Sequence, residues 1–428
     1  MLALAVVLGD QRRIGVAMVT PDGSAPAPMT LREITLAFDR EPDRDAVESA
    51  LSFDPPVPGA VRWRGRTLVV TPSEPLTPGE YRLRLAPGPL GRNGEPLGDP
   101  FEHRFTVREP GVVLIVPAPG GQEEQLVELR EGAEPRVLAT APRIIDFAVA
   151  PDGSRIAAVV AGEDGRGSLA LVRPDDGARE SLIFDPAINI GGVAWSPDGA
   201  ALAVVRRDRL PGGEESVPRA WLVRIGGEFV APLDPDGLPS LQPSWSPDGQ
   251  LLAYISPSDA RLVVLTVATG ERWEAGQPRG GAAAWSPDGR LLAFEAVPRS
   301  TAGAVPLQPV RVRSLDGAID LLLGREGEVR AAPRFLDAAT VLTLRRAVGG
   351  ARTATDLVFE SARDGRQLRA VNLAAGTGLI LHWDLAPRGD SIVFSLQTAQ
   401  GFTTTVLDLQ SGERRDLPLA GDRPRWLP

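Results

Sequence analysis

One short string recurs and limits what this chain can fold into. Trp-Ser-Pro-Asp-Gly stands at Trp195–Gly199, Trp245–Gly249 and Trp285–Gly289, each time followed by an apolar run (AALAVV, QLLAYI, RLLAFE). Weaker copies follow the same frame: VAPDG then SRIAAV from Val149, FLDAA then TVLTL from Phe335, and LAPRG then DSIVFS from Leu385. The chain ends on Trp426-Leu427-Pro428, the opening of the motif without its turn. With the proline position as ruler, the copies fall at 151, 197, 247, 287, 337, 387 and 428, which is 40 to 50 residues apart. That period, with four strand-sized runs in each, is the mark of a β-propeller blade.

The motif has a physical reading. Pro197, Pro247 and Pro287 fix φ for a tight turn between two antiparallel strands. Asp198, Asp248 and Asp288 cap that turn, and Gly199, Gly249 and Gly289 take its left-handed position. Calcium is the other use for such aspartates, but each sits in a different repeat, which favours the turn. Trp195, Trp245 and Trp285 are expected to wedge between neighbouring blades, with a ligand-stacking platform as the lesser reading.

Val112–Val116, Leu126–Leu129 and Arg136–Leu138 read as second, third and fourth strands lacking a first. Arg425–Pro428 reads as a first strand without successors. Pairing the two builds a composite blade, closes the ring and makes seven blades over residues 110–428. The WSPDG copies with LLAF-like continuations resemble the TolB-type, Pro-Asp-Gly repeat propellers. That resemblance implies a family containing periplasmic partner-binding proteins and the substrate-gating propellers of serine peptidases. TolB itself commonly has six blades and a helical N-terminal domain, features this sequence does not show.

Residues 14–109 read as a separate small β-sandwich. Ile14–Val19, Leu31–Phe38, Thr67–Thr71, Tyr81–Leu85 and Phe101–Val107 show strand patterning, Arg62–Arg64 is a short strand, and Asp45–Leu51 is a helical turn. ITLAFDREPD, TLVVTPSEPLTPGEYRLRL and FEHRFTV resemble the bacterial immunoglobulin-like domain of the SbsA, S-layer-associated type. The resemblance implies a spacer or adhesion-like module of the cell envelope. Residues 1–13 form an apolar lead-in, either the remnant of a membrane anchor or an entry to the first strand. The expected fold is therefore all-β: an Ig-like sandwich followed by a seven-bladed propeller closed by its own terminal strands.

Chemistry is harder to find. The chain has no Cys and only His103 and His382, which removes thiol nucleophiles and multi-His metal centres, and no cofactor is expected. All 46 basic residues are Arg, yet the net charge is −9, which argues against nucleic acid as partner. No G-x-S-x-G elbow is present for a peptidase, and the SPDG turns differ from those of sialidase propellers. Asp185, Asn189, Asp234 and Asp236 are the loop residues that a metal-dependent hydrolase or lyase would use at the tunnel mouth. The stronger expectation is a non-catalytic envelope protein whose propeller binds a protein or cell-wall polymer, with an intracellular scaffold as a further alternative. Long loops at 206–220, 297–308 and 345–355 supply the candidate binding residues Arg206, Arg207, Arg209, Arg345, Arg346 and Arg352, with His382 and Trp383 near the same mouth.

Overall fold

A computed structural model describes residues 13–97, 99–183, 185–226, 229–234, 239–298, 307–347, 354–374 and 378–428. The chain divides at Pro110/Gly111 into two compact units. The lead-in before Arg13 lies outside the described residues.

The first unit is a sandwich of two antiparallel sheets. One has the strand order Val16–Thr20, Ile34–Phe38, Thr67–Pro72, Gly59–Arg64, and the other Leu51–Asp54, Gly79–Leu85, Phe101–Val107. Alternation decides which side chains go inward: Ile34, Leu36 and Phe38 from the first sheet meet Tyr81, Leu83 and Leu85 from the second. Tyr81 stacks on Phe105 at 5.4 Å, and its hydroxyl accepts from the Thr77 backbone N–H at 3.0 Å. The helical turn is a helix over Arg44–Ala50, capped by Asp43. Two strands exceed the sequence reading. Leu51–Asp54 follows that helix directly, and the strand expected at Arg62–Arg64 begins at Gly59 on an exposed edge where no apolar alternation marks it.

The second unit is a seven-bladed β-propeller made of seven four-stranded antiparallel sheets. The inner strands are Arg143–Val149, Ile188–Trp195, Leu241–Trp245, Pro278–Trp285, Glu328–Phe335, Leu379–Leu385 and Asp422–Leu427, numbered here as blades one to seven. Each touches the next in turn, and the last touches the first. The seventh blade is composite. Asp422–Leu427 pairs with Gly111–Pro117, with Trp426 opposite Val112 and Leu427 opposite Gly111, and Glu124–Leu129 and Arg136–Ala141 complete the sheet.

The core of this unit is divided into seven apolar clusters, one between each pair of neighbouring blades. The strand Gly111–Pro117 shows why. Val113 and Ile115 pack toward the first blade, while Val112, Leu114 and Val116 pack toward the sixth. A strand buried on both faces needs a continuous apolar run, which is what VVLIV supplies. The turns behave as their residues dictate. Ser196 Oγ donates to Asp198 Oδ1 at 2.5 Å and accepts from the Ala201 N–H at 3.0 Å, while Gly199 sits at φ +67°. The same set recurs at Ser246–Asp248 and Ser286–Asp288, whose carboxyls are held below their ordinary pKa chiefly by the serine hydroxyl. These aspartates are therefore spent on the turn.

Closure is testable at one residue. Leu427 is completely buried between the seventh and first blades. Leu427→Ala is expected to lower the unfolding free energy by about 2–5 kcal/mol, read from the urea midpoint. Deleting Asp422–Pro428 is expected to abolish a single cooperative transition for the propeller.

Candidate functional site around the propeller axis

The inner strands of the propeller carry a set of charged side chains that meet across blade boundaries. Cross-strand register defines the levels. One residue before the wedge position, Arg334 lies opposite Leu342, Asp384 opposite Val393 and Arg425 opposite Val113. On the other four blades the same level holds Ala148, Ala194, Ser244 and Ala284. This level is thus charged on three successive blades and holds small residues on the other four.

Nearer the start of the inner strands lies a second tier. His382 Nδ1 and Asp422 Oδ1 are 2.7 Å apart, joining the sixth blade to the seventh. Asp422 Oδ1 also accepts from the Arg423 N–H at 2.8 Å. Arg423 Nη1 donates to the Ile145 carbonyl and lies 3.8 Å from Asp146 Oδ1, joining the seventh blade to the first. Asp146 Oδ2 in turn accepts from the Val193 N–H of the second blade at 3.2 Å. The tier therefore ties blades six, seven, one and two across the closure.

Environment sets the protonation of these groups. Burial pushes the Asp146 carboxyl up, against the pull of the Val193 N–H and of Arg423 and Arg425. Burial also works on Asp422, but the His382 hydrogen bond and the Arg423 charge outweigh it and hold the carboxyl below its ordinary value. Arg334 is drawn down by burial and by the like charge of Arg425, with Asp384 opposing. It remains a cation at neutral pH, as arginines do.

The residues expected from sequence to form a binding rim are arranged otherwise. Arg206 and Arg207 are not in a loop, because their strand runs from Ala201 to Asp208. Arg206 is packed over Trp221 at 4.4 Å and Phe229 at 4.5 Å and pairs with Asp208 at 2.6 Å, so it serves its own blade. Arg207 lies 4.0 Å from Glu215. Arg209 is exposed, on a bridge to Glu215. Arg345 and Arg346 also continue a strand, Thr340–Ala347. Arg345 pairs with Asp356 at 2.7 Å, and Arg346 is half-buried opposite Thr355. Arg352 and Asp236 lie outside the described residues. Arg206, Arg207 and Arg209 belong to the second blade and Arg345 and Arg346 to the fifth, and these two blades are not neighbours.

Trp383 is the clearest correction. Its side chain is 1% exposed, and its Nε1 donates to the Ala332 carbonyl of the preceding blade at 3.1 Å. Trp195 makes the same bond to Ala148 at 2.9 Å, and Trp285 makes it to Ser244 at 3.1 Å. Trp383 is therefore a wedge like those two, displaced by two residues along its strand. Trp245 occupies the equivalent place, although its Nε1 has no hydrogen-bond partner among the described residues. Of the loop acids, Asp234 is 2% exposed and held by the Tyr254 hydroxyl at 2.5 Å and Arg272 at 2.8 Å. Asp185 caps Ala187, and Asn189 accepts from the Gly167 N–H and donates to Glu215. Among the described residues no three His, Cys, Asp or Glu side chains are grouped to hold a metal, and no helix is long and apolar enough to cross a membrane.

Arg334, Arg423, Arg425, Asp146, Asp384 and Asp422 were not read from the sequence. The signal for them was present: aligned on the turn position, three successive inner strands end APRFLD, HWDLAP and RPRWLP, with a charge three places before the turn.

No protein-family model and no curated protein matches the chain. Among solved structures it is similar to TolB from Acinetobacter baumannii, at 14% identity over 89% of this chain and 83% of that one, with a TM-score of 0.48. It is also similar to a putative TolB from Agrobacterium tumefaciens (17% identity, 63% and 92% coverage, TM-score 0.41). A third similar structure is an oligogalacturonate lyase in complex with manganese (14% identity, 72% and 84% coverage, TM-score 0.49).

Two outcomes are expected. Trp383→Ala lowers stability by about 3–5 kcal/mol, measured by urea unfolding. Asp422 contributes stability above the unfolded carboxylate pKa of about 4 and loses it as the pH falls through its lower folded value. Asp422→Asn is therefore less stable than wild type at pH 7, and the gap between their urea midpoints closes as the pH is taken below about 4.

Proposed function

We propose that this chain is a non-catalytic cell-envelope protein. In this reading an Ig-like sandwich acts as spacer, and a TolB-like propeller binds an anionic protein or cell-wall polymer. The observation that carries the reading is the axial set of Arg334, Arg423 and Arg425 on a ring closed by its own terminal strands. A closed ring is a rigid frame, and rigid frames hold binding groups at little ordering cost. The axial acids support binding over catalysis because each serves the frame. Asp146 accepts from the Val193 N–H, Asp384 from the Trp426 N–H, and Asp422 from the Arg423 N–H. Each of these carboxylates is thereby oriented by the backbone of its own or a neighbouring blade.

The test is co-sedimentation of the full chain with purified cell-wall sacculi, together with crosslinked capture from a solubilised envelope fraction, both in about 0.15 M salt. Saturable binding is expected, and Arg425→Glu should weaken it at least about tenfold. The exposed Arg363→Glu should leave it unchanged. No saturable binding to either preparation, or turnover of the bound polymer, would overturn the reading.

A further inference from the structure

We propose that the axial level formed by Arg334, Asp384 and Arg425 is a binding site for a single oxyanion group, a carboxylate or a phosphate, entering along the ring axis. The inference rests on the binding-platform reading and names the group that the platform recognises. The geometry has three parts. First, the level holds two guanidiniums on the fifth and seventh blades with one carboxylate between them on the sixth. Second, that single carboxylate faces two cations, and one of its oxygens is shared with the backbone, since Asp384 Oδ2 accepts from the Trp426 N–H at 3.1 Å. Third, the guanidiniums are poorly matched. Among the described residues the Arg334 side chain donates only to the Pro333 carbonyl, at 3.0 Å, and lies 5.9 Å from the Trp383 ring centre. The Arg425 side chain makes no hydrogen bond and no ion pair within 4 Å among the described residues, although its charge is felt at Arg334 and Asp146.

Each guanidinium carries five N–H donors in a fixed fork, and a planar or tetrahedral oxyanion is the group that fills such a fork. The tier above does not supply one, because His382, Asp422, Arg423 and Asp146 are occupied with one another. The same level on the other four blades holds Ala148, Ala194, Ser244 and Ala284, none of which carries a charge to match the two cations. Burial first, and then the like charge of Arg425, pull the Arg334 guanidinium down, and a bound anion would relieve both.

The experiment is thermal unfolding of the full chain at constant ionic strength, with chloride replaced stepwise by inorganic phosphate and, separately, by acetate. A saturable rise in Tm of about 1–2 °C is expected for wild type. The rise should vanish in Arg334→Gln and in Arg425→Gln and persist in Arg363→Gln. Response to phosphate alone marks the phosphate group as the ligand, response to acetate alone marks the carboxylate, and response to both marks the oxyanion chemistry the two share. Without added anion the two axial variants should match or exceed wild-type Tm, because each removes one of two like charges. A lower Tm would show instead that the arginines act as struts, and would overturn the site. No saturable shift in wild type, or a shift that survives in both axial variants, also overturns it. Sacculus or envelope binding is read separately. If that binding fails while the arginine-dependent anion response holds, the platform reading falls and the axial site stands. If the anion response fails while capture persists, the reverse follows.

Discussion

The pairing of Asp422–Leu427 with Gly111–Pro117 is the constraint on which the rest of the propeller depends. These strands lie at opposite ends of the unit in sequence, and only their union supplies the seventh blade with an inner strand. Without it, Val112, Leu114 and Val116 would lack Trp426, and Val113 and Ile115 would lack Leu427. Two open sheet edges would replace a closed ring, and open edges invite pairing with other chains. The same strand carries Asp422, Arg423 and Arg425, so the residues that close the ring also furnish much of its axial charge.

That coincidence shapes the electrostatics. Charges in the middle of a protein are costly unless paired or hydrogen-bonded. The upper tier meets that cost with bonds that cross blade boundaries, from His382 to Asp422, from Arg423 to Asp146 and from Asp146 to the Val193 N–H. These bonds are directional, unlike the apolar clusters between blades, and they fix how blades six, seven, one and two are rotated against one another. The level of Arg334 and Arg425 is left with more donors than acceptors, and there the ring has chemistry to spare.

The fold was legible because turn chemistry is local. Ser-Pro-Asp-Gly specifies its own geometry within four residues, and a repeated turn counts the blades even where Trp has become Val, Phe or Leu. The site was less legible, because it is made by register across strands far apart in sequence. Arg206-Arg207-Asp208-Arg209 looks like a polar loop, yet Arg206 lies flat on Trp221 and Phe229 and the strand continues beneath it. Trp383 sits two places ahead of its expected position and was read as a rim residue, although the face it occupies is that of a wedge. The axial charges needed one further step, reading down a column of the aligned repeats rather than along the chain.

Each inner strand also breaks register with its neighbour near its start: after Ile144, Ile190, Leu241, Gly280, Ala331 and Ile380 on blades one to six, and between Val113 and Ile115 on the partner strand of the seventh. Gln242, Ala332 and Arg423 take positive φ at these breaks, a conformation few side chains adopt without being held there. A bulge resets which way the following side chains point. The register break therefore separates the opening residues of each inner strand from those that carry wedge and turn. Evolution, or a designer, can rewrite the vestibule of this ring blade by blade while the gasket that seals neighbouring blades together keeps its registration.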